Sequence, residues 1–344
     1  MTPVAPPAFL FVDINRECNL RCRTCMYWAA PKEASYAITI EHRRQILEDY
    51  ADLSPRGTVV ICGGETLLAK EAYFDVTASC RRLGLRCLSV TNGSPIRDLA
   101  MAERLLLDGP HEITVSLNHF KPEIHDGTRG VLGSWDWAVQ ALKLLLQARK
   151  NLELSNRIYV MAIICEQNYR DLEAFYPFVL RELGADKLKL NFLQPTFGPL
   201  GSEFQDAFFA QNTIADPENL GRILRDCDGK FGLGLNPRWV EDVLMYHRSI
   251  QKNRNAIQGW RISRGTDRPI CNSYDRNIMV DLQGNARLCF SNQFRSVPMD
   301  GPGALRRFWE SSEDIRTKMR SCAAYCGISH SVRRENGTLK LANA

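Results

Sequence analysis

The sequence predicts an α/β protein built on a parallel sheet. Short apolar runs alternate with amphipathic stretches over the first two hundred residues, and polar or sulfur-bearing residues follow nearly every apolar run. Six such strand-then-helix units in series favour parallel strands joined by right-handed crossovers. Because six units are too few for a closed eight-stranded barrel, we expect a partial (β/α)6 barrel or an open sheet.

The predicted strands are rich in Val, Ile and Leu over several positions, as buried parallel strands are. They cover residues 9–15, 58–64, 86–93, 112–118, 158–165 and 187–194. The amphipathic stretches between them predict helices near residues 40–53, 68–84, 95–108, 135–150 and 170–184. Ligands of such sheets gather at the carboxyl ends of the strands, so the polar residues found there form the candidate site.

The composition and charge of the chain argue against a nucleic-acid-binding, membrane or secreted protein. The 344 residues carry 44 Lys and Arg against 39 Asp and Glu, and a net charge of +5 is too small to indicate a nucleic-acid partner. No apolar run reaches about 18 residues, and the N-terminal segment lacks the features of a secretory signal. We therefore expect no membrane segment and a cytoplasmic location.

The chain divides into four predicted regions. The strand and helix units, with one further helical stretch, form a first domain over residues 1–230. A basic connecting region follows over 231–270, then a small cysteine-bearing domain over 271–330 and a polar tail over 331–344.

Cysteine usage points to chemistry at the end of the first strand. Twelve cysteines in a chain without a secretory signal are expected to be thiols, metal ligands or catalysts rather than disulfides. Cys18, Cys22 and Cys25 supply three thiolates from one eight-residue loop, with no fourth cysteine or histidine close by in the sequence. Structural zinc prefers four ligands, whereas three thiolates leave one iron of a [4Fe–4S] cluster open.

On this Cys-x3-Cys-x2-Cys motif and the strand order around it, the chain resembles the radical S-adenosylmethionine (SAM) superfamily over about the first 200 residues. The resemblance implies a [4Fe–4S] cluster on the three cysteines, with SAM bound to its open iron. It implies reductive cleavage of SAM to methionine and a 5′-deoxyadenosyl radical, which abstracts a hydrogen atom from a substrate. A flavodoxin- or ferredoxin-like electron donor is implied as a partner.

The resemblance extends to residues after later strands. Gly63-Gly64-Glu65 is similar to the turn that receives the SAM ammonium group, and glycines there allow backbone carbonyls to approach a cation. Ser116 and Asn118 stand where the family places polar contacts to SAM, although relatives often carry Asp at the second position. Arg129 resembles the arginine that pairs with the SAM carboxylate.

The sequence departs from the family at the adenine contact. Many relatives carry an aromatic residue just before the third cysteine, where this chain has Thr24. We expect Tyr27 or Trp28 to take that role.

A second cysteine group lies near the C-terminal end, comprising Cys271, Cys289, Cys322 and Cys326. Residues 277–289 predict a β-hairpin that turns at Gln283-Gly284-Asn285. Four cysteines make a closed site, which zinc or a second iron–sulfur cluster would satisfy. The spacing resembles the SPASM/twitch extension of radical SAM enzymes, and four cysteines imply its shorter twitch form with one auxiliary [4Fe–4S] cluster.

Two further cysteines end predicted strands on the active-site side of the sheet. A thiol at Cys165, or with less weight at Cys62, could donate a hydrogen atom to a substrate radical and so invert a stereocentre. The alternative for both is a packed cysteine that acts as a small hydrophobic residue.

The expected function is that of a radical SAM enzyme acting on a small polar substrate. Resemblance to twitch enzymes of antibiotic and sugar pathways implies dehydrogenation, epimerisation or decarboxylation of a sugar- or cyclitol-like molecule. One alternative is a peptide-modifying radical SAM maturase. Another, of a different class, is a zinc-binding regulatory protein in which both cysteine groups are structural.

Overall fold

The computed structural model of the chain describes residues 4–25, 27–29, 37–195, 206–253, 273–290, 294–320, 332–335 and 338–341. Six parallel strands form an open sheet, in the order β6-β5-β4-β3-β2-β1. Their bounds are β1 Phe9–Asp13, β2 Thr58–Cys62, β3 Arg86–Thr91, β4 Glu112–Ser116, β5 Arg157–Ile164 and β6 Lys187–Phe192. The predicted α/β class and partial barrel are confirmed, and each predicted strand ends within two residues of the observed one.

Helices connect successive strands and cover the convex side of the sheet. Their bounds are α1 Ile40–Leu53, α2 Lys70–Arg82, α3 Leu99–Asp108, α4 Pro122–Arg129, α5 Ser134–Asn151, α6 Leu172–Pro177, α7 Ala207–Asn212, α8 Pro217–Phe231, α9 Pro237–Asn253, α10 Ala304–Ser311 and α11 Glu313–Arg320. A π-helical segment, Phe178–Leu183, continues α6. The sequence did not predict α4, nor that α9 occupies part of the basic connecting region.

Local caps explain where several helices begin and end. The Thr39 side chain accepts a hydrogen bond from the His42 amide at the start of α1, and Asp98 accepts one from the Met101 amide at the start of α3. Helix α8 ends at Gly232, whose φ of +61° lies in the left-handed region that favours glycine.

Three strands near the C-terminal end extend the same sheet beyond β1. Strand β7 (Asn277–Val280) pairs in parallel with β1, and the antiparallel strands β8 (Asn285–Arg287) and β9 (Val297–Pro298) follow. The predicted hairpin is confirmed, and Gly284 in its turn has φ +81°. Its attachment to β1 was not predicted. A separate hairpin joins β10 (Val332–Glu335) to β11 (Thr338–Leu341).

Exposure alternates along the strands and separates the two faces of the sheet. Every second residue of β2, β3, β5 and β6 is fully buried against the helices, and the intervening residues are partly exposed on the concave face. The concave face is therefore the accessible one, and its upper edge is formed by the carboxyl ends of the strands. No helix in the described ranges combines the length and the apolar character needed to cross a bilayer.

A buried ion cluster lies on the concave face at the opposite, amino-terminal ends of the strands. Glu112, the first residue of β4, accepts a hydrogen bond from Arg86 Nη2 at 3.2 Å and forms an ion pair with Lys189. Only 2% of the Glu112 side chain is exposed. The two cations neutralise this carboxylate where water cannot.

Candidate active site

The cysteine loop begins where β1 ends and is held by the end of α4. The Arg21 and Arg23 amides donate to the carbonyls of Arg129 and Thr128, at 3.1 and 3.2 Å. These bonds fix the middle of the loop, and Cys22 there is only 8% exposed. Cys18 and Cys25 are half-buried on either side.

The chemistry of these three thiols fits an iron–sulfur cluster. Burial raises the pKa of the Cys25 thiol to about 11 and raises that of Cys18. A bound metal deprotonates its thiol ligands and compensates their charge. In the described ranges no three Cys, His, Asp or Glu side chains surround one single-ion position. A cubane instead spreads its ligands over separate irons.

Arg129 lies beside the cysteine loop with unused hydrogen-bonding capacity. Its Nη1 atom is 3.8 Å from Cys22 Sγ, and its Nη2 atom is 3.4 Å from Asn118 Oδ1. Its Nε atom is buried without a hydrogen-bond partner among the described residues. A buried donor of this kind favours an anionic ligand, which agrees with the predicted SAM carboxylate contact.

The two glycines of the Gly63-Gly64-Glu65 turn allow close contact with the start of the cysteine loop. A Cβ atom at Gly64 would lie 2.1 Å from the Glu17 carbonyl oxygen, and Gly63 has φ +148°. The Glu65 amide donates to that same Glu17 carbonyl at 2.7 Å. Glycine is required here by backbone packing, in addition to any approach of a ligand.

The Glu65 side chain has a structural role that the sequence analysis missed. Its carboxylate accepts hydrogen bonds from the Thr91 hydroxyl at 2.7 Å and from the amides of Asn92 and Leu67 at 2.7 and 3.1 Å. Burial raises the pKa of this carboxyl, and the three donors oppose the rise. The carboxylate therefore links the ends of β2 and β3. The predicted contact of Glu65 with the SAM ammonium stays a prediction.

Asn118 helps to position α4. Its side chain donates to Thr128 Oγ1 at 2.8 Å and accepts from the Ile163 amide at 3.0 Å, and its backbone amide donates to His125 Nδ1. Burial lowers the pKa of His125 to about 2, which keeps its ring a neutral acceptor. Asn118 thus holds Arg129 through α4. Ser116, in contrast, is partly exposed on the concave face, and direct SAM contacts of both residues stay predictions.

A buried carboxyl that the sequence analysis did not single out lies at the end of β1. Asp13 is 2% exposed and accepts hydrogen bonds from the Tyr27 hydroxyl, at 3.1 and 3.2 Å to its two oxygens. Burial raises its pKa to about 6, although the Arg287 charge and the Tyr27 hydrogen bond lower it. An acid that ends an apolar strand was the available clue. Tyr27, predicted to contact adenine, is held by this carboxyl.

The two candidate thiol donors lie in different surroundings. Cys62 is the register partner of Asp13 and is partly exposed on the concave face. Cys165 is 2% exposed and packs with Leu193, Phe209, Tyr246 and Ile250. This packing favours the role of a small hydrophobic residue for Cys165. The partial exposure of Cys62 makes it the more accessible of the two candidate hydrogen donors. Hydrogen donation stays a prediction for both.

The predicted auxiliary site lies mostly outside the described residues, because three of its four cysteines, Cys271, Cys322 and Cys326, are not among them. Cys289 follows β8 and is 8% exposed in the core. It lies two residues after Arg287, which is 3.8 Å from Asp281. The auxiliary cluster stays a prediction.

Comparisons with known proteins agree with this geometry. A family model described as Radical SAM superfamily matches residues 12–179. The chain is 29% identical over 171 residues to the Fe-coproporphyrin III synthase of Methanosarcina barkeri, a match covering 49% of this chain and 40% of the relative. It is 24% identical over 225 residues to the pre-heme d1 synthase of Dinoroseobacter shibae, covering 65% and 53%. The matches thus span about half the length of these curated relatives.

A solved structure shares the fold. Native anSMEcpe with bound AdoMet and a Cp18Cys peptide superposes with a TM-score of 0.58 at 16% identity, covering 90% of this chain and 82% of that one. At this identity the likeness shows the fold alone. The family match, together with a three-cysteine loop at the end of β1, identifies residues 12–179 as a radical SAM domain.

Proposed function

We propose that this chain reductively cleaves SAM and uses the resulting radical to abstract a hydrogen atom from a small polar, sugar- or cyclitol-like substrate. The observation that carries the proposal is the loop of Cys18, Cys22 and Cys25, fixed against Arg129. When bound there, a [4Fe–4S] cluster would supply the electron that splits SAM into methionine and a 5′-deoxyadenosyl radical.

The chain's own residues would bind and orient the reactants. Arg129 would pair with the SAM carboxylate through donors that the described protein leaves unused. Tyr27, held by Asp13, would cover the adenine, and the glycine carbonyls of the β2 turn would accept from the ammonium. The partly exposed concave face, with Ser116 and Asn191, would offer hydrogen bonds to substrate hydroxyls.

The outcome of the reaction would depend on the fate of the substrate radical. We propose a twitch-type auxiliary [4Fe–4S] cluster on Cys271, Cys289, Cys322 and Cys326, which would accept an electron in a dehydrogenation. In an epimerisation, a thiol such as Cys62 or Cys165 would donate the returning hydrogen atom. Decarboxylation is the third outcome within the same proposal.

A tetrapyrrole carboxylic acid is a second candidate substrate. Two of the curated relatives are named as a coproporphyrin synthase and a pre-heme d1 synthase. In this chain, Arg16 and Arg287 have buried Nε atoms without a hydrogen-bond partner among the described residues. Both lie close enough to Asp13 to affect its pKa, and arginine suits the recognition of carboxylates.

Metal content and SAM turnover test the proposal. Anaerobically reconstituted wild type should hold about eight iron per chain and form 5′-deoxyadenosine with dithionite. Cys18→Ala/Cys22→Ala/Cys25→Ala should lose about half the iron and all SAM cleavage, because no other thiols lie on that loop. A matched control changes three buried core cysteines, as Cys80→Ala/Cys87→Ala/Cys227→Ala. This control should keep the full iron content and the wild-type rate of SAM cleavage.

Two results would contradict the proposal. SAM turnover at the wild-type rate in the loop variant would exclude these cysteines as cluster ligands. About two tightly bound zinc ions per chain, with no iron uptake, would favour the zinc-binding regulatory alternative.

A further inference from the structure

Asp13 differs from the other buried acids in how few hydrogen bonds it accepts. The acids that are buried in the described part of the chain are Asp13, Asp49, Glu65, Glu112, Asp126 and Asp281. Each of the others accepts hydrogen bonds from at least two different groups, which are backbone amides, hydroxyls, amide side chains or cations. Within the same part of the chain, Asp13 accepts only from the Tyr27 hydroxyl, which its two oxygens share. Because buried polar groups are as a rule satisfied, this acid is a candidate for contact with a ligand.

The Asp13 carboxylate keeps acceptor positions on both of its oxygens. An ionised carboxylate offers about four lone-pair positions, and a single hydroxyl cannot fill them. Burial raises the pKa of Asp13 to about 6, since one neutral donor does not compensate for the water that the carboxylate loses on folding. The site therefore lacks both further donors and a neutralising charge.

The charged groups around Asp13 do not supply what it lacks. Arg287 and Arg16 lower its pKa and Asp281 raises it, so all three lie close enough to act on it. Arg287 Nη1 lies 3.8 Å from Asp281, where its charge is already opposed. Neither arginine forms an ion pair or a hydrogen bond with Asp13 in the ranges that the structure covers.

Asp13 lies beside Cys62 at the edge of the sheet where ligands of this fold bind. The two residues are register partners on the parallel strands β1 and β2, which run about 4.8 Å apart. Cys62 is partly exposed on the concave face, and burial together with the nearby Asp13 charge raises the pKa of its thiol. A ligand that approaches along Cys62 would reach Asp13 in surroundings that exclude most water, where an ion pair is strong.

We infer that Asp13 binds a protonated amine of the substrate, so that the substrate is an amino-substituted sugar- or cyclitol-like molecule. The inference rests on the proposed function, because it takes the concave face as the place where the substrate binds. An ammonium group brings three donors and a positive charge, whereas a hydroxyl brings one donor and no charge. An amine held by Asp13 would place the carbon atom that carries it within reach of Cys62, the more accessible candidate hydrogen donor.

Calorimetry on cluster-loaded protein, with SAM and without reductant, tests the recognition of an amine. Glucosamine and glucose serve as probes, because they differ only in one amine for one hydroxyl, and the amine stays protonated below about pH 7. Wild type should bind glucosamine at least about tenfold more tightly than glucose, since a charge-assisted hydrogen bond replaces a neutral one. Equal affinities, or binding of neither sugar, would overturn the inference.

The pH dependence of binding identifies the acid that receives the amine. With a pKa of about 6, Asp13 is about one-tenth ionised near pH 5 and about three-quarters ionised near pH 6.5, so the affinity for glucosamine should rise about eightfold between them. At about pH 6, binding should release about half a proton, measured as a dependence of the heat on the ionisation enthalpy of the buffer. An affinity that does not change with pH would overturn the inference, because the amine would then bind elsewhere.

A charge-removing variant provides an independent test. Asp13→Asn keeps the shape of the side chain, so it should bind glucosamine at least about tenfold more weakly, bind glucose as wild type does and release no proton. The matched control, Asp52→Asn, changes an exposed acid on α1 and should behave as wild type. Wild-type affinity for glucosamine in Asp13→Asn would overturn the inference. Failure of wild type to form 5′-deoxyadenosine when dithionite is added would contradict the proposed function instead.

Discussion

Two buried acids on the concave face of the sheet are stabilised in different ways. Glu112, at the amino end of β4, is held by the cations of Arg86 and Lys189. Asp13, at the carboxyl end of β1, has no ion pair within about 4 Å among the described residues and accepts hydrogen bonds only from Tyr27. Burial accordingly raises the pKa of Asp13 to about 6.

This difference between Glu112 and Asp13 indicates that the amino ends of the strands contribute to stability and the carboxyl ends to function. At the amino end of β4 the Glu112 carboxylate is neutralised by two paired cations, as expected where the sheet only has to stay folded. At the carboxyl ends, Asp13, Arg129 and Arg287 keep unneutralised charge or unused donors. In α/β proteins this is the end where ligands bind, and groups with perturbed pKa values concentrate at functional sites.

The largest expected effect comes from removing the acid at the amino end. Glu112→Ala leaves two partly buried cations unpaired and should lower the free energy of unfolding by about 3–5 kcal/mol. Denaturant unfolding at constant pH measures it, with the exposed Glu153→Ala as a control. SAM cleavage per folded, cluster-loaded chain should not change, because Glu112 lies at the far end of the strands. An unchanged unfolding free energy would show that the ion cluster does not stabilise the fold.

Asp13 should give the opposite dependence on pH from an ordinary surface carboxylate. Its folded-state pKa of about 6 lies above the ordinary aspartate value of 3.8, so the folded state binds the proton more tightly than the unfolded chain does. The free energy of unfolding should therefore fall as pH rises from about 4 to about 6, by about 3 kcal/mol at most, since each unit corresponds to about 1.4 kcal/mol. Asp13→Asn should remove this slope in unfolding curves measured between those pH values. A variant with the wild-type slope would show that other groups titrate there.

The smallest of the three effects concerns ligand binding at Arg129. Arg129→Ala should weaken SAM binding by about 2–3 kcal/mol, because the carboxylate would lose a charged donor in a buried position. Calorimetry on the cluster-loaded protein measures the dissociation constant, and Arg82→Ala, on the surface of α2, provides the control. If SAM binds the Arg129 variant normally, this arginine only anchors the cysteine loop to α4.

The sequence predicted those parts of the molecule that depend on local pattern. Apolar runs located all six parallel strands, and the cysteine spacing located the loop after β1. Helix α4 was missed because Pro122–Arg129 contains Gly127 and has few apolar positions to show a helical period. The roles of Glu65 and Asn118 were missed because their partners lie on other strands and helices.

Contacts distant in sequence account for the remaining differences. The pairing of β7 with β1 joins residues more than 260 positions apart, and nothing in either strand alone specifies its neighbour. The surroundings of Cys62 and Cys165 likewise depend on which helices pack above each strand end. Alternation along a strand shows which face a cysteine occupies, but not what covers it.

The pairing of β1 with β7 also affects how the chain folds as it is synthesised. Strand β1 is made first, yet one of its edges is completed only when Asn277–Val280 has emerged. Until then that edge of β1, the strand that leads into the cysteine loop, presents unpaired amides and carbonyls. Such a contact has a high loop-closure cost and forms late in folding. We expect the nascent chain to depend on chaperones over this interval, and cluster loading to follow closure of the β1 edge.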